Sequence, residues 1–155
     1  MSSELTHIDK EGNSKMVDVV QKKATERRAI AEGWVLLSDF NLTGWDLTFL
    51  GLDNASLKEP QDQRFNNFGL TGCLNIYNVK LKNTSIDVSG GNCEDSLNVV
   101  NSIGDINKIN IKDAFQDAVD FDFSNINIDK MSISSAGNDC FDISAGNYHL
   151  NNSRI

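Results

Sequence analysis

Through the second half of the chain, apolar residues alternate with polar ones in short bursts that return at a fixed interval. One five-residue phrase occurs four times, as Gly72-Cys73-Leu74-Asn75-Ile76, Asp95-Ser96-Leu97-Asn98-Val99, Asp117-Ala118-Val119-Asp120-Phe121 and Asp139-Cys140-Phe141-Asp142-Ile143, at steps of 23, 22 and 22 residues. The third and fifth positions are apolar and their neighbours small or polar, the period-two pattern of a strand with one buried face. A second strand keeps the same register through Ile86 and Val88, Ile109 and Ile111, Met131 and Ile133, and Ser153 and Ile155. A repeat of this length is one turn of a solenoid, whose stacked turns align each apolar column into a shared interior. The prediction is an all-β solenoid, a right-handed parallel β-helix of about four to five coils, with the hand that parallel crossovers adopt. The lone proline, Pro60, precedes the repeat and leaves every ladder donor within it intact.

The pattern divides the chain at residue 38. Residues 1–38 concentrate Lys15, Lys22, Lys23, Arg27 and Arg28, and the Lys, Ala, Glu and Arg of residues 21–32 favour a helix. That helix is expected over residues 18–32, stopped by Gly33, as a cap on the open end of the β-helix that fills residues 39–155. Residues 34–68 read as an irregular first coil, with Trp45 and Phe49 in the core and the polar run 58–64 looped out.

The formal charge of −8 argues against direct binding to nucleic-acid phosphates and leaves a basic protein, a cation or a neutral glycan as partners. No stretch has the apolar length of a membrane span, and the first residues lack a secretion signal, so the expected location is cytoplasmic, away from membranes. Cys73, Cys93 and Cys140 are too few for a disulfide framework, so reduced thiols are expected; no cofactor is implied. His7 and His149 stand alone, and no spacing suggests an activated nucleophile.

The fourth position of the phrase is expected to face outward, as the ladder Asn75, Asn98, Asp120 and Asp142. The Asn members read as structural, and Asp120 and Asp142 together with Glu94, Asp95, Asp117, Asp122 and Asp139 form the candidate binding face. Carboxylates one strand spacing apart, roughly 5 Å, raise one another's pKa unless a cation or hydrogen-bond donors intervene. Relief can come from a partner's Lys and Arg, from calcium between Asp120 and Asp142, or from backbone N–H groups at the corners.

Two resemblances attach to these residues. Leu5-Thr6-His7, Asp9, Gly12, Met16-Val17-Asp18-Val19, Lys22, Thr25, Arg27, Ala29, Ala31 and Gly33 resemble the opening of cyclic pyranopterin monophosphate synthase, the molybdenum cofactor biosynthesis protein C. Of that family's functional groups only Arg27 carries over. The Cys-His-Pro segment, paired glutamates and Asp-x-x-Lys segment do not follow Ser38, so the resemblance implies ancestry of a segment and not the activity. From Phe65 onward, Thr71-Gly72-Cys73-Leu74-Asn75-Ile76 and Gly137-Asn138-Asp139-Cys140-Phe141-Asp142-Ile143 resemble right-handed parallel β-helix repeats of the pectate-lyase-like superfamily. Its hydrolases place a second Asp where Asn138 stands, and add Gly-His-Gly and Arg-x-Lys segments that this chain lacks.

The leading expectation is a non-catalytic acidic module that binds a basic protein, as a nucleic-acid-mimicking inhibitor of the antitoxin or anti-CRISPR kind. The alternatives are a surface β-helix fragment that binds or cleaves glycans, and a composite reading frame with no specific activity. The inward column still runs at Leu150 and Ile155, which reads as a truncated solenoid prone to self-association through its C-terminal coil.

Overall fold

The computed structural model describes residues 34–51 and 65–155, and the expected capping helix over 18–32 lies outside them, as does the polar run 58–64. Eleven strands follow one another in the described residues: β1 (Val35–Ser38), β2 (Asn41–Thr43), β3 (Asp46–Leu50), β4 (Gly72–Tyr77), β5 (Lys80–Ser89), β6 (Asp95–Val100), β7 (Ile103–Ala114), β8 (Asp117–Asp122), β9 (Ser124–Ala136), β10 (Asp142–Ile143) and β11 (Gly146–Arg154). They form two parallel sheets. The first runs β1-β4-β6-β8-β10 and the second β11-β9-β7-β5-β2, with β3 also paired to β5. The chain alternates between the sheets, so it is a parallel β-solenoid of about four turns.

The repeat phrase lies on the first sheet in the register its spacing predicts. Leu74 pairs Leu97, Leu97 pairs Val119, and Asp120 pairs Asp142. On the second sheet Ile86 pairs Ile109, which pairs Met131. These columns meet in one interior from Leu42 and Phe49 to Phe121, Ile128 and Ile133. Two corners recur. Asp39, Asn78, Asn101 and Phe123 hold positive φ where the chain leaves the first sheet, and Gly90, Asp113 and Ser135 do so where it leaves the second. Short polar side chains tolerate the left-handed region; Phe123 does so at a cost, because its Cβ crowds the neighbouring carbonyl. The amide ladder Asn101 Nδ2 to Asn78 Oδ1 and Asn78 Nδ2 to Asp39 Oδ1 ties three coils at the first of these corners.

Several expectations change. Cys73 and Cys93 are joined by a disulfide, not held as free thiols. Column spacing correctly keeps Cys73 apart from Cys140, but Cys93 arrives from the loop before β6. There Gly91 lies so close that a Cβ on it would stand 2.6 Å from the Cys73 sulfur. Trp45 is exposed, since β2 ends at Thr43 and Gly44 turns the chain with positive φ before β3, while Phe49 is core as predicted. Tyr148 turns inward with its ring 5.6 Å from that of Phe121. In the last coil Phe141 is only partly buried, Ile143 is 43% exposed and Ile155 70%, because β10 has only two residues to continue the first sheet.

Candidate functional site

Each residue of the predicted acidic face lies on the first sheet or at a corner leading into it. Asp95 begins β6, Asp117, Asp120 and Asp122 lie on β8, Asp142 begins β10, and Glu94 and Asp139 sit in the preceding corners. The pairing Asp95 to Asp117, and Asn98 to Asp120 to Asp142, places carboxylates one strand spacing apart.

They are not equally exposed. Glu94 and Asp95 are buried, at 8% and 3% exposure, and so belong to the wall of the solenoid, not to an open face. Asn75 and Asn98, expected outward, are buried as well. Asn75 folds back on its own strand: its Nδ2 donates to the Gly72 carbonyl at 2.6 Å and its Oδ1 accepts the Gly72 N–H at 2.9 Å. A strand fragment shows which way a side chain leaves the backbone; the Asn75 amide then bends back to satisfy backbone groups of its own strand, and the Asn98 amide reaches carboxylates of the next coil. The accessible part of the site is therefore Asp117, Asp120, Asp122, Asp139 and Asp142, at the C-terminal end of the first sheet.

Hydrogen bonds join these groups across coils. Asn98 Nδ2 donates to Asp120 Oδ2 at 3.1 Å and to Asp122 Oδ2 at 3.4 Å. The Ser144 hydroxyl donates to Asp122, and Asp142 Oδ1 accepts its neighbour's N–H from Ile143. Asp117 Oδ1 accepts both the Asp139 N–H and the Asn138 amide at 2.8 Å. Corner donors thus satisfy one oxygen of Asp117, whereas Asp139 receives only the Asn138 amide at 3.4 Å among these bonds.

The donors do not offset the crowding around the deeper carboxyls. Burial first, then the charges of Asp122 and Asp95, a hydrogen bond shared with Asp122 and the charge of Asp142 push Asp120 up to about 7. Burial likewise lifts Asp95 to about 6, opposed by a hydrogen bond from Thr71 and reinforced by Asp117, Asp122 and Asp142. Two of the carboxyls are therefore partly protonated close to neutrality. Asp120 and Asp142 offer two carboxylates to a calcium ion, which takes six to eight oxygens. Among the described residues no group of three His, Cys, Asp or Glu gathers as metal ligands.

Cations are segregated from this region. All six described Lys and Arg residues, Lys80, Lys82, Lys108, Lys112, Lys130 and Arg154, lie on strands of the second sheet, interspersed with Asp46, Asp87, Asp105, Asp113 and Asp129. The strands of the first sheet carry five carboxylates and no cation.

A second feature was missed from sequence. At the corner between the sheets, a groove of about 420 Å³ runs beside the Asn78 and Asn101 amides and is lined by Asp39, Phe40, Lys80 and Ile103. Phe40 and Ile103 are exposed there, and Phe123 is exposed at the next position of the corner column. The signal in the sequence was the recurrence of Asn78 and Asn101 at the repeat interval just after the apolar phrase. The exposed aromatics among the described residues are Phe40, Trp45, Phe65, Phe68, Tyr77 and Phe123. The long loops and single-residue corners that expose them carry no alternation to read.

Comparison with known proteins finds one short likeness. Over 35 residues the chain is 60% identical to proteins named cyclic pyranopterin monophosphate synthase from Brucella ovis, Brucella canis and Brucella suis. The match covers 23% of this chain and 21% of those proteins, so the chain spans about a fifth of the length of the curated relatives it matches. No family model matches the chain, and no solved structure matches it.

Proposed function

We propose that this protein is a non-catalytic binding module whose acidic first sheet docks the Lys and Arg side chains of a basic protein, in the manner of an inhibitor that imitates a nucleic-acid backbone. The observation that carries the reading is the segregation of charge: carboxylates repeat at the coil spacing on β8 and β10, with no cation on any strand of their sheet. A surface that merely keeps a solenoid soluble would mix the two signs, as the second sheet does. Incoming guanidinium or ammonium groups would form charge-assisted hydrogen bonds with carboxyls that now crowd one another, and would draw Asp120 into its ionised form. A right-handed winding and an N-terminal helical cap complete the proposed architecture.

Titration with poly-lysine by calorimetry tests the reading. The parent should bind, with affinity falling steeply as salt rises, and the triple variant Asp120→Asn, Asp122→Asn, Asp142→Asn should lose binding while keeping or raising its melting temperature. If calcium bridges the coils instead, chelator should lower the parent's melting temperature and the triple variant should melt lower.

A second reading, glycan binding, is favoured by the corner groove. An exposed ring at Phe40 can pack against a sugar face while the Asn78 and Asn101 amides meet its hydroxyls. Retention on a glycan array, lost in Phe40→Ala and retained in the Asp triple variant, would assign the activity to the groove. No described helix is long and apolar enough to cross a membrane. The Cys73–Cys93 bond weighs against the cytoplasmic location expected from the sequence, because such bonds persist in oxidising compartments. The synthase-like segment, matched over a fifth of its relatives, supports a composite origin for the chain and adds no catalytic group to this proposal.

A further inference from the structure

The reading of the first sheet as an acidic docking face leaves its partner open, and the second sheet supplies a candidate. Resting on that reading, we propose that the cationic partner is a second copy of this chain, which lays the outer face of its second sheet, along Lys108, Lys112 and Lys130, against the Asp120, Asp122 and Asp142 carboxyls of the first.

Charge complementarity selects these two surfaces, since the described cations lie on the strands of one sheet and the clustered carboxylates on those of the other. Spacing selects them again. Lys108 and Lys130 are register partners on adjacent strands β7 and β9, and Asp120 and Asp142 are register partners on adjacent strands β8 and β10. Both pairs are therefore set by the same strand spacing of about 4.8 Å, because both faces are walls of one solenoid. Two copies with parallel axes can match cation to carboxylate at both coils without distortion.

The lysines are available for exchange. Lys108 lies 2.9 Å from Asp87 with both side chains well exposed, and Lys130 is 3.9 Å from Asp129 in a still more exposed pair. Exposed pairs of this kind are weak, because water and salt screen them, so a carboxylate cluster that gains a counter-ion competes with them. The contact joins unlike faces, so each added copy leaves one acidic and one cationic face free, and assembly grows side by side.

Sedimentation velocity of the full chain at pH 8 tests this, at ionic strengths of about 0.01 M and about 1 M, between which the screening length falls from about 30 to about 3 Å. The expected result is a weight-average mass that climbs with concentration at low salt and returns to 17.1 kDa at high salt. The acid-free variant (Asp120→Asn, Asp122→Asn, Asp142→Asn) and the cation-free variant (Lys108→Gln, Lys112→Gln, Lys130→Gln) should each sediment as monomers, with circular dichroism matching the parent. Mixed together they should form a one-to-one pair and nothing larger, since each keeps the face the other has lost. A parent that stays monomeric at low salt overturns the proposal. So does association that survives high salt or persists in both variants, which would assign it to the exposed Ile143 and Ile155 end of the solenoid. Poly-lysine binding separates the two levels: if it binds and the acid-free variant does not, while the parent stays monomeric, the acidic docking face stands and the self-pairing falls. Failure of poly-lysine to bind removes both.

Discussion

On the second sheet Asp87 accepts hydrogen bonds from Lys108 and Asn110, both at 2.9 Å, whereas on the first sheet Asp120 is surrounded by Asp122, Asp95 and Asp142. Burial pushes the Asp87 carboxyl up, but the Lys108 and Asn110 hydrogen bonds and the charges of Lys108 and Lys112 outweigh it and hold the group below its ordinary value. Burial pushes Asp120 in the same direction, and there the neighbouring charges add to it. The two sheets share a pitch, a parallel pairing and an interior, so the difference comes from how deeply each carboxyl is buried and which side chains neighbour it. Among the described residues, carboxylates on the second sheet have lysines on their own sheet, and those on the strands of the first sheet have none.

Both sheets wall a single core, and breaking that core should end the comparison altogether. Phe121 is fully buried between them, so Phe121→Asp places an unpaired charge in the interior at a cost of about 5 kcal/mol or more, on the scale of the whole stability of a domain this size. Circular dichroism should show no folded baseline at room temperature. A melt matching the parent would falsify the register described above.

The next effect is covalent and ties the first sheet to the corner before β6. The Cys73–Cys93 bond closes a loop with a sequence separation of 20, which corresponds to about 3 kcal/mol of chain entropy. Cys73→Ser with Cys93→Ser should lower stability in urea by that order, and hydrogen exchange should quicken first around Glu94 and Asp95. Unchanged stability, with two free thiols titrated in the parent, would refute the bond.

A pH series separates the sheets by sign. Asp95 and Asp120 ionise from the ordinary 3.8 upward in the unfolded chain but only near 6 and 7 in the folded one. The first sheet therefore loses stability as pH rises from about 4 to about 7 and stays level above that. Asp87, whose pKa is lowered in the folded protein, contributes stability that is present above 3.8 and lost as pH falls through its folded value. Asp120→Asn should flatten the upper slope and raise the melting temperature at pH 8, by about 2–4 °C for each kcal/mol relieved. Lys108→Gln should instead weaken the protein at pH 8 and leave the slope between pH 4 and 7 intact. Equal slopes in parent and Asp120→Asn would show that the carboxyl crowding is not felt.

The smallest effect concerns the corner that joins the sheets. Phe123 occupies a left-handed corner position whose equivalents in three other coils are Asp39, Asn78 and Asn101. Its ring is 64% exposed, so little packing is lost by replacing it. Phe123→Asn should relieve about 1 kcal/mol of backbone strain and extend the amide ladder by one rung, visible as a higher midpoint in urea. A lower midpoint would mean that the ring contributes more by packing than the strain costs.

Much of this architecture was legible in the residues. The interval between Leu74, Leu97, Val119 and Phe141, with strict alternation around each, determined the parallel pairing and the coil register, because a solenoid strand meets only its own image one turn away. The juxtaposition of Asp120 with Asp142 followed from the same interval. What the interval could not carry was everything transverse to it. Column arithmetic compares equivalent positions, so it separated Cys73 from Cys140 and overlooked Cys93, which reaches Cys73 from a corner that belongs to no column. Alternation likewise assigned Asn75 and Asn98 an outward direction, but whether a side chain leaving the sheet meets water or is satisfied within the wall depends on its neighbours there. The corner groove and the exposure of Phe40 and Phe123 arise from the same left-handed turns. The repeat carries the one-dimensional order of the coils, because stacking is local. Which carboxyls are buried and which thiols are joined emerges in three dimensions, because both depend on side chains meeting across corners at distances no repeat encodes.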